Sequence, residues 1–219
     1  LHGPFTGAAY GLADGVLELL QDADVSGDAG AAARDEDAFI GQWGALDAQL
    51  DSMLRCNVPG RRASLKQGQA LANAACVWLE GDSALLQQQG ADGSRARGAV
   101  RLLRRLRSSL DAGALAYGHA APVLGVVGAA LGLDARPVLD VQTFAVSRDL
   151  LAAAVRMNLV GPIAAIALQA QLSRNVLANG SSAHIQGPHA PITTAAGASP
   201  IVDSVQACHD MLDVRLFQT

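Results

Sequence analysis

Four histidines stand away from the start of the chain: His119, His184, His189 and His209. Imidazole is a good ligand for nickel, zinc and copper. A metal cage built on a helix needs further ligands three or four positions away, and none of the four has a second histidine or a cysteine there. His184 and His189 fall in a Gly/Pro/Ser-rich stretch and offer nickel weak, mobile ligands at most. Cys56, Cys76 and Cys208 are odd in number, widely spaced and without a C-x-x-C pair. This argues against a disulfide framework or a zinc ribbon and fits a reducing compartment. Each thiol is expected to be a small buried hydrophobe. A run of arginines, Arg95, Arg97, Arg101, Arg104, Arg105 and Arg107, is the strongest local charge feature. It reads either as a solvated helix face or as a docking patch for an acidic partner, with Arg101, Arg104 and Arg105 at its centre. The glycines from Gly113 to Gly132 are not followed by the Lys-Ser/Thr of a phosphate loop, and Lys66 is the sole lysine. Neither a G-x-S-x-G elbow nor a Ser/His/Asp spacing is evident, so no catalytic site is expected and hydrolase activity is the minor alternative.

The elements that would carry these residues are helical throughout. Phe39, Trp43, Leu46, Leu50 and Met53 recur at helical spacing, with Asp35 and Asp37 as expected N-terminal caps. Leu65, Gly68, Ala72, Ala75 and Leu79 form one stripe in which small side chains admit a neighbouring helix closely. Three more helices are expected between Ala121 and Ala178: one ending near Gly132-Leu133, one capped by Asp134 and one starting at Gly161-Pro162. The middle one carries Leu150, Leu151, Val155 and Met157 on several faces, which predicts burial at the centre of a bundle. A last helix from Ser199-Pro200 is expected to bury Ile201, Val205, Cys208 or His209, Leu212 and Leu216. No stretch alternates with a period of two, so the fold class is all-α, a bundle of about seven to nine helices. Polar stretches near 22–34, 81–98 and 179–198 read as surface loops.

Half of the 219 residues are hydrophobic and 16% are charged, with a net charge of -4 and a pI near 5.6. One domain over 1–219 is expected. The charge supplies no basic field of the kind that nucleic acid or an anionic membrane requires, so neither partner is expected. The apolar stretches Pro122 to Leu133 and Leu159 to Leu172 are shorter than the roughly 20 residues that span a bilayer. The chain opens at Leu1, which reads as a trimmed start, and shows no secretory leader pattern. A cytoplasmic location is expected.

Three strings in order, HAAPVLG from His119, RDLLAAAVRMNLVGP from Arg148 and SPIVDSVQACHDMLDVRLF from Ser199, resemble the urease accessory protein F (UreF) family in its plant-like form. The segment Leu46 to Leu79, with Ala63-Ser64 and Gln67-Gly68, is similar to the family's second and third helices. The resemblance implies a two-fold homodimer that acts as a scaffold and not as an enzyme. It would link UreD, also called UreH, to the GTPase UreG, so that nickel passes in transit into apo-urease with no tightly bound cofactor. It also implies that the C-terminal tail docks into UreD, through Arg215, Leu216 and Phe217 with His209 in support. The chain departs from the pattern at Asp213 and Val214 before the Arg-Leu-Phe, and at Ala120, where the family commonly has histidine. At its start only Tyr10-Gly11-Leu12-Ala13 remains of an aromatic, His-Ser and Gly-Leu-Glu signature. A divergent helical adaptor that has lost its urease partners is the alternative.

Overall fold

The computed structural model describes residues 9, 13–22, 27, 29–81, 91–113, 117–179 and 200–211. All regular structure among them is helical, as the absence of period-two patterning predicts. Helix α1 covers 13–22, followed by α2 (Ala29–Leu54), α3 (Val58–Gly81), α4 (Ala91–Asp111) and α5 (Ala120–Ala130). Helix α6 (Ala135–Arg156), α7 (Pro162–Asn179) and α8 (Pro200–Ala207) complete the series, with a 3₁₀ turn at Cys208–Met211.

Two boundaries differ from the expected loops. Helix α2 begins at Ala29, ahead of Asp35 and Asp37, because Ala29 and Ala31 to Ala33 are strong helix formers and prolong the helix toward its N-terminus. Helix α4 likewise begins at Ala91, where Ala96, Ala99 and Val100 already contribute to the core.

The main core is an apolar cluster drawn from α1 to α6: Leu17; Phe39, Trp43, Leu46 and Leu50; Ala72, Cys76 and Leu79; Leu102, Leu103 and Leu106; Val123 and Val126; and Val138, with Leu20 and Ala32 as a small satellite. The predicted stripes on α2 and α3 are therefore largely the buried ones, except that Leu54 replaces the exposed Met53 at the end of α2 and Leu65, at the start of the α3 stripe, is only half-buried. The helix at the centre is α5 and not α6. Helix α5 has no charged residue and buries Ala121 to Val123 and Gly125 to Ala130. Helix α6 carries Arg136, Asp140, Arg148, Asp149 and Arg156, which require water or partners, and only its Val138 and Leu139 are buried.

Close approach fixes how α5 sits. A Cβ on Gly68 of α3 would run into the Gly118 carbonyl oxygen and the Ala120 nitrogen, so the chain entering α5 lies directly on α3. At the other end, a Cβ on Gly128 would strike Val138 and push α6 away. Helices α5 and α6 each end in a Schellman arrangement. Gly132 (φ +68°) donates to Ala129 while Leu133 donates to Gly128, and Asn158 (φ +58°) donates to Val155 while Leu159 donates to Ala154. The second of these turns α6 back into α7, with Pro162 at the first helical position.

Candidate partner-docking surfaces

The structure brings together a polar group that sequence spacing did not reveal. Asp47 and Asp51 lie one turn apart on α2, and both are buried. Asp47 accepts the backbone N–H of Gly118 through Oδ2 at 2.7 Å and that of His119 through Oδ1 at 2.9 Å. Ser64 Oγ on α3 accepts the Ala120 N–H at 3.2 Å. The amides leading into α5, which have no partner within the helix, are thus satisfied by side chains of α2 and α3. The His119 ring is fully buried, with Nδ1 3.1 Å from Ser64 Oγ and Nε2 3.2 Å from Asp51 Oδ1. Arg61 Nε donates to the same Asp51 oxygen at 2.5 Å, and its guanidinium lies 5.5 Å from the centre of the Tyr117 ring. Trp43 Nε1 donates to the Pro122 carbonyl at 3.3 Å.

The members span 79 positions, from Trp43 to Pro122, so no local motif could announce them. Their order, Ser64–His119–Asp51, is that of a nucleophile, base and orienting acid. Here it is a clamp: His119 has no exposed surface, and Ser64 Oγ is already bonded to a backbone amide. Burial raises the Asp47 carboxyl above its ordinary value, outweighing the pull of the His119 and Gly118 amides, and the Asp51 charge adds to the rise. Burial also presses on Asp51, but the hydrogen bonds from Arg61 and His119 win and hold it below the ordinary value.

The arginine run faces the acids of α1 and α2. Arg95 pairs with Asp14 at 2.5 Å, Arg101 with Glu36 at 3.2 Å and Arg105 with Asp37 at 2.5 Å, while Arg107 meets Asp111 on its own helix at 3.8 Å. The two aspartates and the glutamate thus stitch α4 to its neighbours, and Asp37 serves inside α2 and not as its cap. Arg101 and Arg105 stay partly exposed.

Many of the exposed large apolar side chains among the described residues are on the α6–α7 hairpin. Val141, Phe144, Val146 and Leu150 on α6, Met157 and Leu159 in the turn, and Ile163, Ile166, Leu168 and Leu172 on α7 are all exposed, Leu150 by 69% and Ile163 by 85%. Packing within the hairpin uses polar groups as well, since Gln169 Nε2 bonds to Ser147 Oγ at 3.1 Å. Exposed large apolar side chains in this number mark interaction sites. The expectation that this helix would be buried at the centre of the bundle is not met, since only Val138 and Leu139 of α6 are buried.

Helix α8 begins at Pro200 as expected, yet Ile201, Val205 and Cys208 are exposed. Its described tie to the rest is Gln206, whose Oε1 accepts from Asn57 Nδ2 at 2.8 Å. Cys56 is exposed as well, so only Cys76 fits the buried expectation. His209 falls in the 3₁₀ turn, whereas Arg215, Leu216, Phe217, His184 and His189 lie outside the described residues. No group of three or more metal-ligating side chains, and no helix long and apolar enough to cross a membrane, occurs among the described residues.

The UreF family model matches residues 8–173. Urease accessory protein F of rice (Oryza sativa subsp. indica) is 30% identical over 178 residues, which cover 81% of this chain and 59% of the rice protein. Urease accessory protein F of Arabidopsis thaliana is 32% identical over 183 residues, 81% of this chain and 65% of that one. Urease accessory protein 6 of Cryptococcus neoformans is 32% identical over 137 residues, covering 61% and 43%. The chain thus spans about three fifths of the length of its rice relative. No solved structure matches it. The family match runs from before α1 into α7 and takes in both the clamp on α5 and the exposed hairpin, and with it the chain belongs to the UreF family.

Proposed function

We propose that this chain is a non-enzymatic scaffold of urease maturation, which as a homodimer links UreD to the GTPase UreG while nickel passes into apo-urease. Its relatives are named urease accessory proteins. The single observation that carries the reading is the α6–α7 surface: ten large apolar side chains turned to water, which suit a protein made to be covered by protein. We assign that surface to the second copy of the chain. Its flanking charges are Arg136 paired with Asp140 and Arg148 paired with Asp149, so both signs are present and a two-fold mate finds its opposite charges in the same patch.

The tail residues Arg215, Leu216 and Phe217, with His209, are assigned to UreD. Arg101, Arg104 and Arg105 form the proposed docking patch for an acidic surface, which would meet the exposed sides of Arg101 and Arg105 beyond their pairs with Glu36 and Asp37. Nickel is cargo in this reading, held in transit by the assembled complex, and the compartment is the cytoplasm. The test is co-purification of the chain with UreD, then with UreG and GTP, comparing the intact protein with Arg215→Ala and with a deletion of the last five residues. Capture of UreD by the intact chain and loss of it in the tail variants supports the scaffold and the tail contact together. A folded, helical chain that captures neither partner overturns the reading.

A further inference from the structure

The clamp on α5 contains an unbalanced set of charges. Asp47 and Asp51 come from α2, Arg61 and Ser64 from α3, and Tyr117 and His119 from the segment entering α5; α4 adds only the apolar Leu110 beside Gly118. Two carboxylates, one and two per cent exposed, therefore face a single guanidinium whose side chain is 35% exposed. A buried net charge is costly, and a proton held anywhere on Asp47, Asp51 or His119 cancels it.

We infer that this cluster is a proton-holding latch, which keeps the segment Tyr117 to Ala120 closed on α2 and α3 while it carries that proton and loosens it when rising pH removes the proton. The contacts suit such a role. The imidazole has a hydrogen-bond partner at both nitrogens, Ser64 on one side and Asp51 on the other, so a proton added there needs only the Ser64 hydroxyl to turn from donor to acceptor. The same carboxylate that would be left uncompensated, Asp47, is the one that holds the Gly118 and His119 amides. The raised position of Asp47 points the same way. A group raised in the folded state contributes stability below its ordinary value of 3.8 and loses that contribution as pH climbs through the folded value.

Two structural elements would feel the release. Helix α5 seats α6 through Gly128 against Val138, at the base of the exposed hairpin. Arg61 lies one turn after Asn57, the residue bonded to Gln206 of α8. The latch is a property of the fold and does not depend on which proteins cover its surfaces.

The experiment is an NMR titration of the intact chain from about pH 5 to about pH 9, with urea unfolding measured across the same range. The expected result is one transition in which the Gly118 and His119 amides shift together, following the Asp47 carboxyl that they bond to. Below that transition the folded-to-unfolded ratio falls by up to about tenfold per pH unit and levels off above it, the signature of one proton held only when folded. In His119→Gln that fall should flatten; if the variant does not fold, the wild-type titration decides alone. Gly118 and His119 amides that stay still across the range, or an unchanged fall in His119→Gln, would each overturn the latch.

Discussion

Asp51 and Asp47 sit one turn apart on the same helix face, yet their environments push them in opposite directions, and this fixes how the fold responds to acid. Asp51 is held below its ordinary value of 3.8 by Arg61 and His119 against the effect of burial. Its contribution to stability is therefore present above that value and lost as pH falls through the folded one, the reverse of the Asp47 behaviour. Replacing Asp51 with Asn should remove the acid limb of the stability curve, so that urea midpoints measured downward from about pH 5 decline less steeply than in the parent. An equally steep decline would mean that other carboxylates set the acid limit. Gly68 gives a second residue-scale test, because the sign of its effect separates packing from propensity. In an ordinary helix interior, Gly→Ala gains about 1 kcal/mol. Here the new Cβ meets the Gly118 carbonyl and the Ala120 amide nitrogen, both backbone atoms that cannot swing aside. Gly68→Ala should instead cost about 1–3 kcal/mol, seen as a lower thermal midpoint. A neutral or stabilising result would show that α5 can slide on α3.

At the scale of elements, the turn from α6 into α7 is set by one residue with an unusual backbone. Asn158 takes φ +58°, a conformation that asparagine and glycine tolerate and β-branched residues resist. Asn158→Gly should leave stability nearly unchanged, while Asn158→Val should cost about 1–2 kcal/mol, read as a drop of roughly 2–8 °C in thermal midpoint for a chain of this size. Equal midpoints would show that the hairpin is held by its packing and not by its turn. The start of α7 was legible in advance, because Gly161 and Pro162 are local signals whose meaning depends on the backbone alone. So were the stripes of α2 and α3, where periodicity reports burial directly. The early starts of α2 and α4 were missed because glycine and polar residues mask alanine's helix preference over short windows. The clamp on α5 was illegible for a different reason: Trp43, Asp47, Ser64 and His119 meet only after three helices have packed, and no spacing along the chain records that encounter. The Arg95, Arg101 and Arg105 pairs repeat the lesson, since each one's acid lies on another helix.

For the whole molecule, the decisive question is where its apolar surface goes. Composition announces abundant hydrophobic residues but not whether they close over the chain's own core or over a neighbour's. Helix α5 takes the central position because it has no charges to solvate, and this leaves α6 and α7 at the edge with an apolar face turned outward. If a second copy covers that face, Leu150 and Ile163 should behave as anchors in its centre, because fully desolvated apolar side chains carry most of an interface's energy. Changing both to Asp places a charge where the mate would have to bury it, at positions where the folded monomer keeps the side chains in water. Self-affinity should fall at least about thirtyfold, the equivalent of one strong anchor lost, while helical circular dichroism and thermal midpoint stay near those of the parent. Sedimentation equilibrium distinguishes the outcomes. A parent that sediments as a dimer and a double variant that sediments as a folded monomer place the two-fold contact on α6 and α7. A parent that is monomeric at every concentration, or a double variant that remains dimeric, means that this face is kept for another protein of the assembly.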